Sequence, residues 1–435
     1  MQKAEYRVIS AVNKNPRNMP FQKSSALDHD SRLLFVTRSF RLFSYGFLSV
    51  VLMIYLTGLG LSEAQIGILF TLTLIGDTVI SLWITTSADR LGRRRMLIIG
   101  SLLMVLAGGL FAVTDNFLLL LAAATIGVIS PSGYEVGPFL SIEQSALSQV
   151  VPGGQRTQVF AWYNLIGSFA TALGALFGGG LTQFLQKAGM TPLGSQRIIV
   201  AAYATAGLVL AFLFTRLSGG IEVAGGANMP QGSSEVKRLL GLHRSRGVVL
   251  RLSALFSLDA FAGGFVLQSI VAYWFYVRFH VQPGLLGAIF FGANILAGLS
   301  SLMAARVASR IGLIKTMVYT HIPSNVLLML VPLMPNLPLA ITMLLLRFSI
   351  SQMDVPTRQS YTMAVVSPDE RSAAAGITGI ARTTGASLAP AITGPLLAQA
   401  TLLNLPFFLA GGLKIVYDLL LYRSFRRIKP PEEGA

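Results

Sequence analysis

Among the ionisable side chains inside runs of about twenty apolar residues, the length that crosses a bilayer core, twelve stand out. The bases are Arg38, Arg41, Arg251, Arg347, Arg382 and Lys414; the acids are Asp77, Glu135, Glu143, Asp259, Asp354 and Asp418. Each costs at least ~2.5–3.5 kcal/mol on insertion scales, so each marks a functional candidate. Three kinds of chemistry fit: a carboxylate that takes up and releases a proton, a base that holds a ligand, or an ion pair that ties helices together. Arg38, Arg41, Tyr45 and Ser49 fall at i, i+3, i+7 and i+11, one continuous helix face. That stripe is expected to face a cavity rather than lipid, with Arg41 the deeper candidate and Arg38 near enough to the end to snorkel. Asp77, Glu135, Asp259 and Asp354 qualify by position as proton carriers or as static pair partners. Glu135 lies between Pro131 and Pro138, and Asp354 precedes Pro356, where missing backbone donors leave polar groups free. Arg347 and Arg382 are the deep bases of the second half. Glu143 and Arg358 occupy equivalent places in the two halves, which suits locking within or between them. Lys414 and Asp418, spaced i, i+4, are expected to pair with each other.

The elements that hold these residues follow from composition. The chain has 435 residues, 53% hydrophobic and 12% charged, with mean hydropathy +0.64. Soluble domains run at about 25% charged, and a soluble chain of this composition would expose a largely apolar surface. Disorder is excluded on the same grounds. The absence of cysteine excludes disulfides, zinc–thiolate sites and thiol nucleophiles. The sequence predicts an all-α membrane protein.

Twelve apolar runs span about 33–57, 64–87, 95–113, 117–143, 157–186, 197–216, 248–277, 284–305, 313–334, 338–364, 373–399 and 403–422. A Gly-, Ser- and charge-rich stretch over 217–247 divides them six and six and reads as a cytoplasmic linker. The expected organisation is a cytoplasmic tail over 1–30, six-helix bundles over 31–216 and 248–424, and a tail over 425–435. The first 30 residues lack the apolar core of a cleaved signal. With both termini in the cytoplasm, 25 of the 34 Lys and Arg fall on cytoplasmic segments. The net charge of +16 is then mostly topogenic, with some attraction to anionic lipid, and nucleic acid is not expected as a partner. A multi-pass protein of the plasma (inner) membrane is the expectation.

The halves repeat each other. Arg38, Leu42, Phe43 and Ser44 answer Arg251, Leu255, Phe256 and Ser257. Gly67, Ala88, Arg90 and Gly92 answer Gly287, Ala308, Arg310 and Gly312. Gln144-Ser145, Val150-Val151 and Arg156 answer Gln359-Ser360, Val365-Val366 and Arg371. Three collinear blocks imply two bundles in parallel repetition about an axis along the membrane normal, with a midplane site between them.

The segment joining the second and third spans ends Ser87-Ala88-Asp89-Arg90-Leu91-Gly92-Arg93-Arg94-Arg95. It resembles G-x-x-x-D-R-x-G-R-R, the signature loop of the major facilitator superfamily, and the resemblance extends over about 31–425. It implies alternating access, with spans one, four, seven and ten lining the cavity. It assigns Asp89 to a cytoplasmic lock facing the start of span eleven near Arg371, where a helix N-terminus attracts an acid. Arg90, Arg93 and Arg94 would pair with acids or lipid phosphates, and Gly92 makes the tight reversal. Gly174-Ala175-Leu176-Phe177-Gly178-Gly179-Gly180-Leu181 looks like the G-P-x-x-G-G-x-L motif of the family's proton-driven exporters, with alanine in place of proline. A small-molecule solute and protons are the implied partners, with no cofactor and a monomeric state. Small residues also pack helices closely, which is the plainer explanation of the motif.

Other classes fare worse. His29, His243, His280 and His321 are too scattered to form a metal cluster with one another, and no metal site is expected. No P-loop or nucleophile elbow is present, which argues against an ATP-driven pump and an intramembrane enzyme. Tyr273, Trp274, Phe275 and Tyr276 read as an interfacial aromatic belt. A solute carrier is the expectation, exporting against protons, with an importer or uniporter as the alternative; an intramembrane enzyme or a receptor ranks below these, since the duplicated six-helix plan favours transport.

Overall fold

The computed structural model describes residues 25–135, 137–150, 156–222, 244–367 and 370–426. Most of each expected tail, most of the linker and the side chain of Asp89 lie outside the described residues, and α1 begins inside the expected first tail. Sixteen α-helices and no strand occur among those described. They make twelve spans because four spans are broken. In the first half, α1 (Ser25–Ser49) and α2 (Leu52–Gly58) form span one, bent by 45°. Then come α3 (Glu63–Leu91), α4 (Arg93–Val113), the broken pair α5 (Phe117–Ile126) and α6 (Phe139–Val150), α7 (Arg156–Lys187) and α8 (Pro192–Thr215). In the second half, α9 (Arg246–Gly264) and α10 (Gln268–Phe279) form span seven, followed by α11 (Pro283–Ile311) and α12 (Leu313–Leu330). Span ten is α13 (Leu337–Phe348) with α14 (Asp354–Ala364); α15 (Arg371–Leu397) and α16 (Leu405–Phe425) complete the bundle.

The breaks fall in spans one, four, seven and ten, the same position in each three-helix unit. Those in four and ten flank Pro131, Pro138 and Pro356, whose missing N–H groups interrupt the helical ladder. By length and apolarity alone, eight helices among the described residues cross a membrane, or nine with the bent first pair. The remaining three spans are the broken fourth and tenth and the eleventh, α15. Its Ala, Gly and Thr content lowers its apolarity, yet its 27 residues rise about 40 Å. Most helices overrun the apolar runs, since the run marks only the length in hydrocarbon.

Short connections are set by local chemistry. Ser62 and Gln65 form a reciprocal capping box that starts α3. Gly92 at φ +100° and Gly312 at φ +87° make the matching reversals between spans two and three and spans eight and nine. These two turns define one face of the molecule, called here the near face; the opposite one is the far face. Trp83, Phe177, Phe184 and Phe212 are each more than half exposed on the outer surface, as lipid contact requires.

The halves meet mainly where α7 packs on α11 and α3 on α15. The Gly-rich stretch of α7 is part of this packing. A Cβ on Gly178 would lie 2.1 Å from the Phe47 carbonyl oxygen of α1, and one on Gly179 would lie 2.2 Å from the Pro283 carbonyl oxygen of α11. Small residues here let backbones touch. The expected aromatic belt is not found as such. Trp274 and Phe275 are fully buried and Tyr273 nearly so, while Tyr276 is exposed. Trp274 packs at a tilt against the Phe407 ring and donates to the Asn404 Oδ1, and Tyr273 donates to Glu63, because α10 is an inner half-helix packed against α2.

Candidate functional site

A cavity of about 650 Å³ lies between the halves. Asp77, Glu135, Asp259, Arg347, Asp354 and Arg382 all line it. Arg41 and Tyr45 do not. Both are fully buried, and the polar face of α1 turns into the first bundle instead of the cavity. The physical reason is a carboxylate pair waiting there. Arg41 grips Glu143 through both terminal nitrogens at 2.7 and 2.6 Å, and its Nε reaches Glu135 at 2.9 Å. The Tyr163 hydroxyl also donates to Glu143. Arg38 is not snorkelling either. It binds Glu135 at 2.8 Å, the Tyr163 carbonyl oxygen at 2.9 Å and Asn164 at 3.2 Å, with its guanidinium over the Tyr163 ring. Tyr45 lies beside Tyr203. Glu135 therefore presents to the cavity with each oxygen already taken by an arginine.

The second half builds a different network around Asp259 on α9. Its Oδ1 accepts from Lys414 Nζ at 2.5 Å, and its Oδ2 accepts from Arg358 at 3.0 Å and Arg382 at 3.4 Å. Arg358 also holds Asp354 at 3.0 Å, one helical turn away on α14. The expected Lys414–Asp418 pair does not form. Lys414 points to Asp259, and Asp418 instead accepts from Asn325 at 3.2 Å and faces the His321 Nδ1 at 2.9 Å. Both Asp418 oxygens are already taken by His321 and Asn325, while Asp259 Oδ1 is left open to the amine. His321 and Lys414, from spans nine and twelve, line the cavity too. The sequence marks Lys414 as a charge within a span but pairs it with Asp418, and gives His321 no role in the cavity, because their partners come from other spans.

Two charges in the wall stand outside these networks. Asp77 on α3 accepts from the Gly137 N–H at 2.6 Å and from the Ser81 hydroxyl at 3.3 Å, with no cationic partner among the described residues. Arg347, at the end of α13, has no ion-pair partner among the described residues, and its buried Nε has no acceptor. One charge belongs to each half.

The halves are joined by hydrogen bonds on the far side of the cavity. Gln268 donates to the Ser49 hydroxyl at 2.7 Å, and Ser269 donates to the carbonyl oxygens of Ser49 and Pro131 at 2.7 and 2.6 Å. Farther out, Tyr273 donates to Glu63 at 2.7 Å and the Gly284 N–H to Gln183 at 3.0 Å. The Ala391 N–H also reaches Thr71 at 2.9 Å.

The residues expected to gate the near face make contacts within their own halves. Glu222, just past span six, accepts from the backbone N–H groups of Arg93 and Arg94 at 2.7 and 3.2 Å. Their guanidinium groups donate to the carbonyl oxygens of Ile221 and Leu217. Glu370 plays the matching part in the second half, accepting from the N–H groups of Arg244 and Ser245. Arg90 is exposed, Arg371 is exposed and donates to the Met363 carbonyl oxygen, and Glu143 and Arg358 are committed as above. Glu222 and Glu370 were not among the expected site residues; an acid just outside a span carries no signal by itself.

Comparison with known proteins agrees with this architecture. The profile of the Major Facilitator Superfamily matches residues 34–390. An uncharacterized membrane protein of Saccharomyces cerevisiae, YJR124C, is 30% identical over 430 residues, covering 93% of this chain and 96% of its own. The quinolone resistance protein NorA of Staphylococcus aureus is 29% identical over 134 residues, 31% of this chain and 33% of its own. Among solved structures, the inward-facing, unoccupied form of a bacterial homolog to the human lysosomal transporter Spinster superposes with a TM-score of 0.69 at 16% identity. That match covers 93% of this chain and 98% of the other.

Proposed function

The chain belongs to the Major Facilitator Superfamily, and from that premise we propose that it carries a small solute across the membrane by alternating access, in exchange for protons, as an exporter. The observation that carries the reading is Asp77. A carboxylate in the wall of a membrane cavity, with no cation beside it, is a group whose proton can change with the side the cavity faces. Glu135, Asp259 and Asp354 are bound to arginine or lysine and act as braces. Arg347 and Arg382 face the solute; Arg41 and Tyr45 support the wall from behind.

The near face is the cytoplasmic one in this reading, supported by the basic residues gathered there, and the protein sits in the plasma (inner) membrane as a monomer. Asp89 then closes the cytoplasmic side against α15, while the backbone contacts of Arg93 and Arg94 hold the signature loop in place. Export is supported by the partial likeness to NorA and by the exporter-like glycine stretch of α7.

The test is flux by the full chain in proteoliposomes under an imposed pH gradient, with a fluorescent quinolone and a panel of metabolites as probes. Saturable movement opposite to the proton gradient is expected. Movement in the same direction as protons would make it an importer, and flux indifferent to the gradient would remove proton coupling.

A further inference from the structure

We propose that the break in span ten is an oxyanion-binding subsite, so that the transported solute is an organic anion, a carboxylate or a phosphate monoester with an apolar body. This names the substrate class of the carrier proposed above and rests on that reading.

Arg347 closes α13 and Ser351 lies in the break before α14; both line the cavity. The Arg347 Nε and the Ser351 Oγ are both buried without a hydrogen-bond partner. Two donors, one of them charged, are thus left unanswered on the same stretch of wall. An unpaired guanidinium in such surroundings is costly and calls for a counter-ion. The end of α13 offers only the partial negative charge of a helix terminus.

Neither acid that lines the cavity from the same half is free to serve, and Asp77 of the other half forms no ion pair with Arg347. Asp354 is held by Arg358 at 3.0 Å, and Asp259 is shared by Lys414, Arg358 and Arg382. Glu135, on the other half, is taken by Arg38 and Arg41. An anion from outside completes the set. The planar fork of arginine matches a carboxylate or phosphate edge, and a serine hydroxyl supplies one further donor. Phe290, Leu344 and Phe348 line the cavity beside it, and the Arg347 guanidinium sits 4.8 Å from the Phe348 ring centre. The solute's carbon body packs on this apolar side.

The experiment measures binding by the purified full chain in detergent, through the shift of its thermal midpoint. Phenylacetate, benzyl phosphate, phenethylamine and phenethyl alcohol serve as probes with similar bodies and different heads. A saturable shift with phenylacetate or benzyl phosphate, and none with the amine or alcohol, is expected. Whichever anion binds more tightly distinguishes the two head groups. Arg347→Gln should weaken anion binding at least about tenfold. Arg347→Lys should weaken it less and Ser351→Ala by a smaller factor, each with the elution profile of the wild type. Equal shifts with amine or alcohol, no saturable shift with either anion, or full binding in both Arg347 variants would overturn the subsite. Because binding needs no pH gradient, loss of gradient-driven flux with anion binding intact would count against the exporter reading alone.

Discussion

Lys414 Nζ lies 2.5 Å from Asp259 Oδ1, so the last span is tethered to the seventh through a charge pair at the cavity wall. The lysine passes over Asp418 on its own helix to do so. Asp259 becomes the hub at which four spans converge, since Arg358 and Arg382 reach it from the tenth and eleventh.

Asp259→Asn should therefore leave buried cations facing one another. The expected loss is about 3–5 kcal/mol of stability, the usual scale for breaking a buried pair on one side. It is read as a lower thermal midpoint in detergent. Asp418→Asn should cost less, because His321 can remain neutral and an amide can still bond with Asn325. Equal melting of Asp259→Asn and wild type would refute the hub.

Asp77→Asn and Glu135→Gln should separate two roles that look alike in sequence. The amide at 77 keeps an oxygen for the Gly137 N–H, so the fold should hold within about 1 kcal/mol. Gradient-driven flux should vanish while solute exchange across liposomes without a gradient persists. Glu135→Gln should instead destabilise the protein, by up to about 3–5 kcal/mol, because Arg38 and Arg41 lose their shared charge. A wild-type response to the pH gradient in Asp77→Asn would reject its role in coupling.

Gly67→Ala should prop the far face apart. A Cβ there would lie 2.4 Å from the Pro390 carbonyl oxygen and 3.1 Å from Gly394 Cα, so α3 and α15 must separate. With no native cysteine, a Thr78→Cys reporter in the cavity gives a clean readout. Faster labelling by an impermeant maleimide applied to the far side is expected; an unchanged rate would show that the helices yield elsewhere.

Glu222→Ala should loosen the start of α4. Its carboxylate caps the N–H groups of Arg93 and Arg94, and loss of a cap costs about 0.5–2 kcal/mol. Hydrogen exchange at these two amides should quicken while anion binding in the cavity is unaffected. Undiminished protection there would mean that the guanidinium contacts to Ile221 and Leu217 suffice.

Much of this architecture was legible before any coordinates. Apolar run length counts the spans because bilayer thickness fixes it, and the paired Gly92 and Gly312 turns mark the repeat. Pro131, Pro138 and Pro356 mark two of the four breaks. What could not be read was rotation about a helix axis. Arg38, Arg41 and Tyr45 share a face, yet a polar face satisfies itself equally in a cavity or against acids inside the bundle. The destination of Lys414 was hidden for a related reason: spacing along α16 offers Asp418, while Asp259 is 155 positions away in the chain.

The division between charged and uncharged contacts sets how the molecule can move. The ion pairs at the cavity close inside one half or the other, so each half can turn as a stiff block without exposing a broken pair to lipid. The seam on the far side is stitched by amides, hydroxyls and peptide groups, with Glu63 the one carboxylate among the described residues. Stitches of this kind are worth about 0.5–1.5 kcal/mol each. Reversing a two-state balance from one part in a hundred to ninety-nine takes about 5.5 kcal/mol. A cargo held about ten-thousandfold more tightly by one arrangement than by the other has the leverage to unzip that seam.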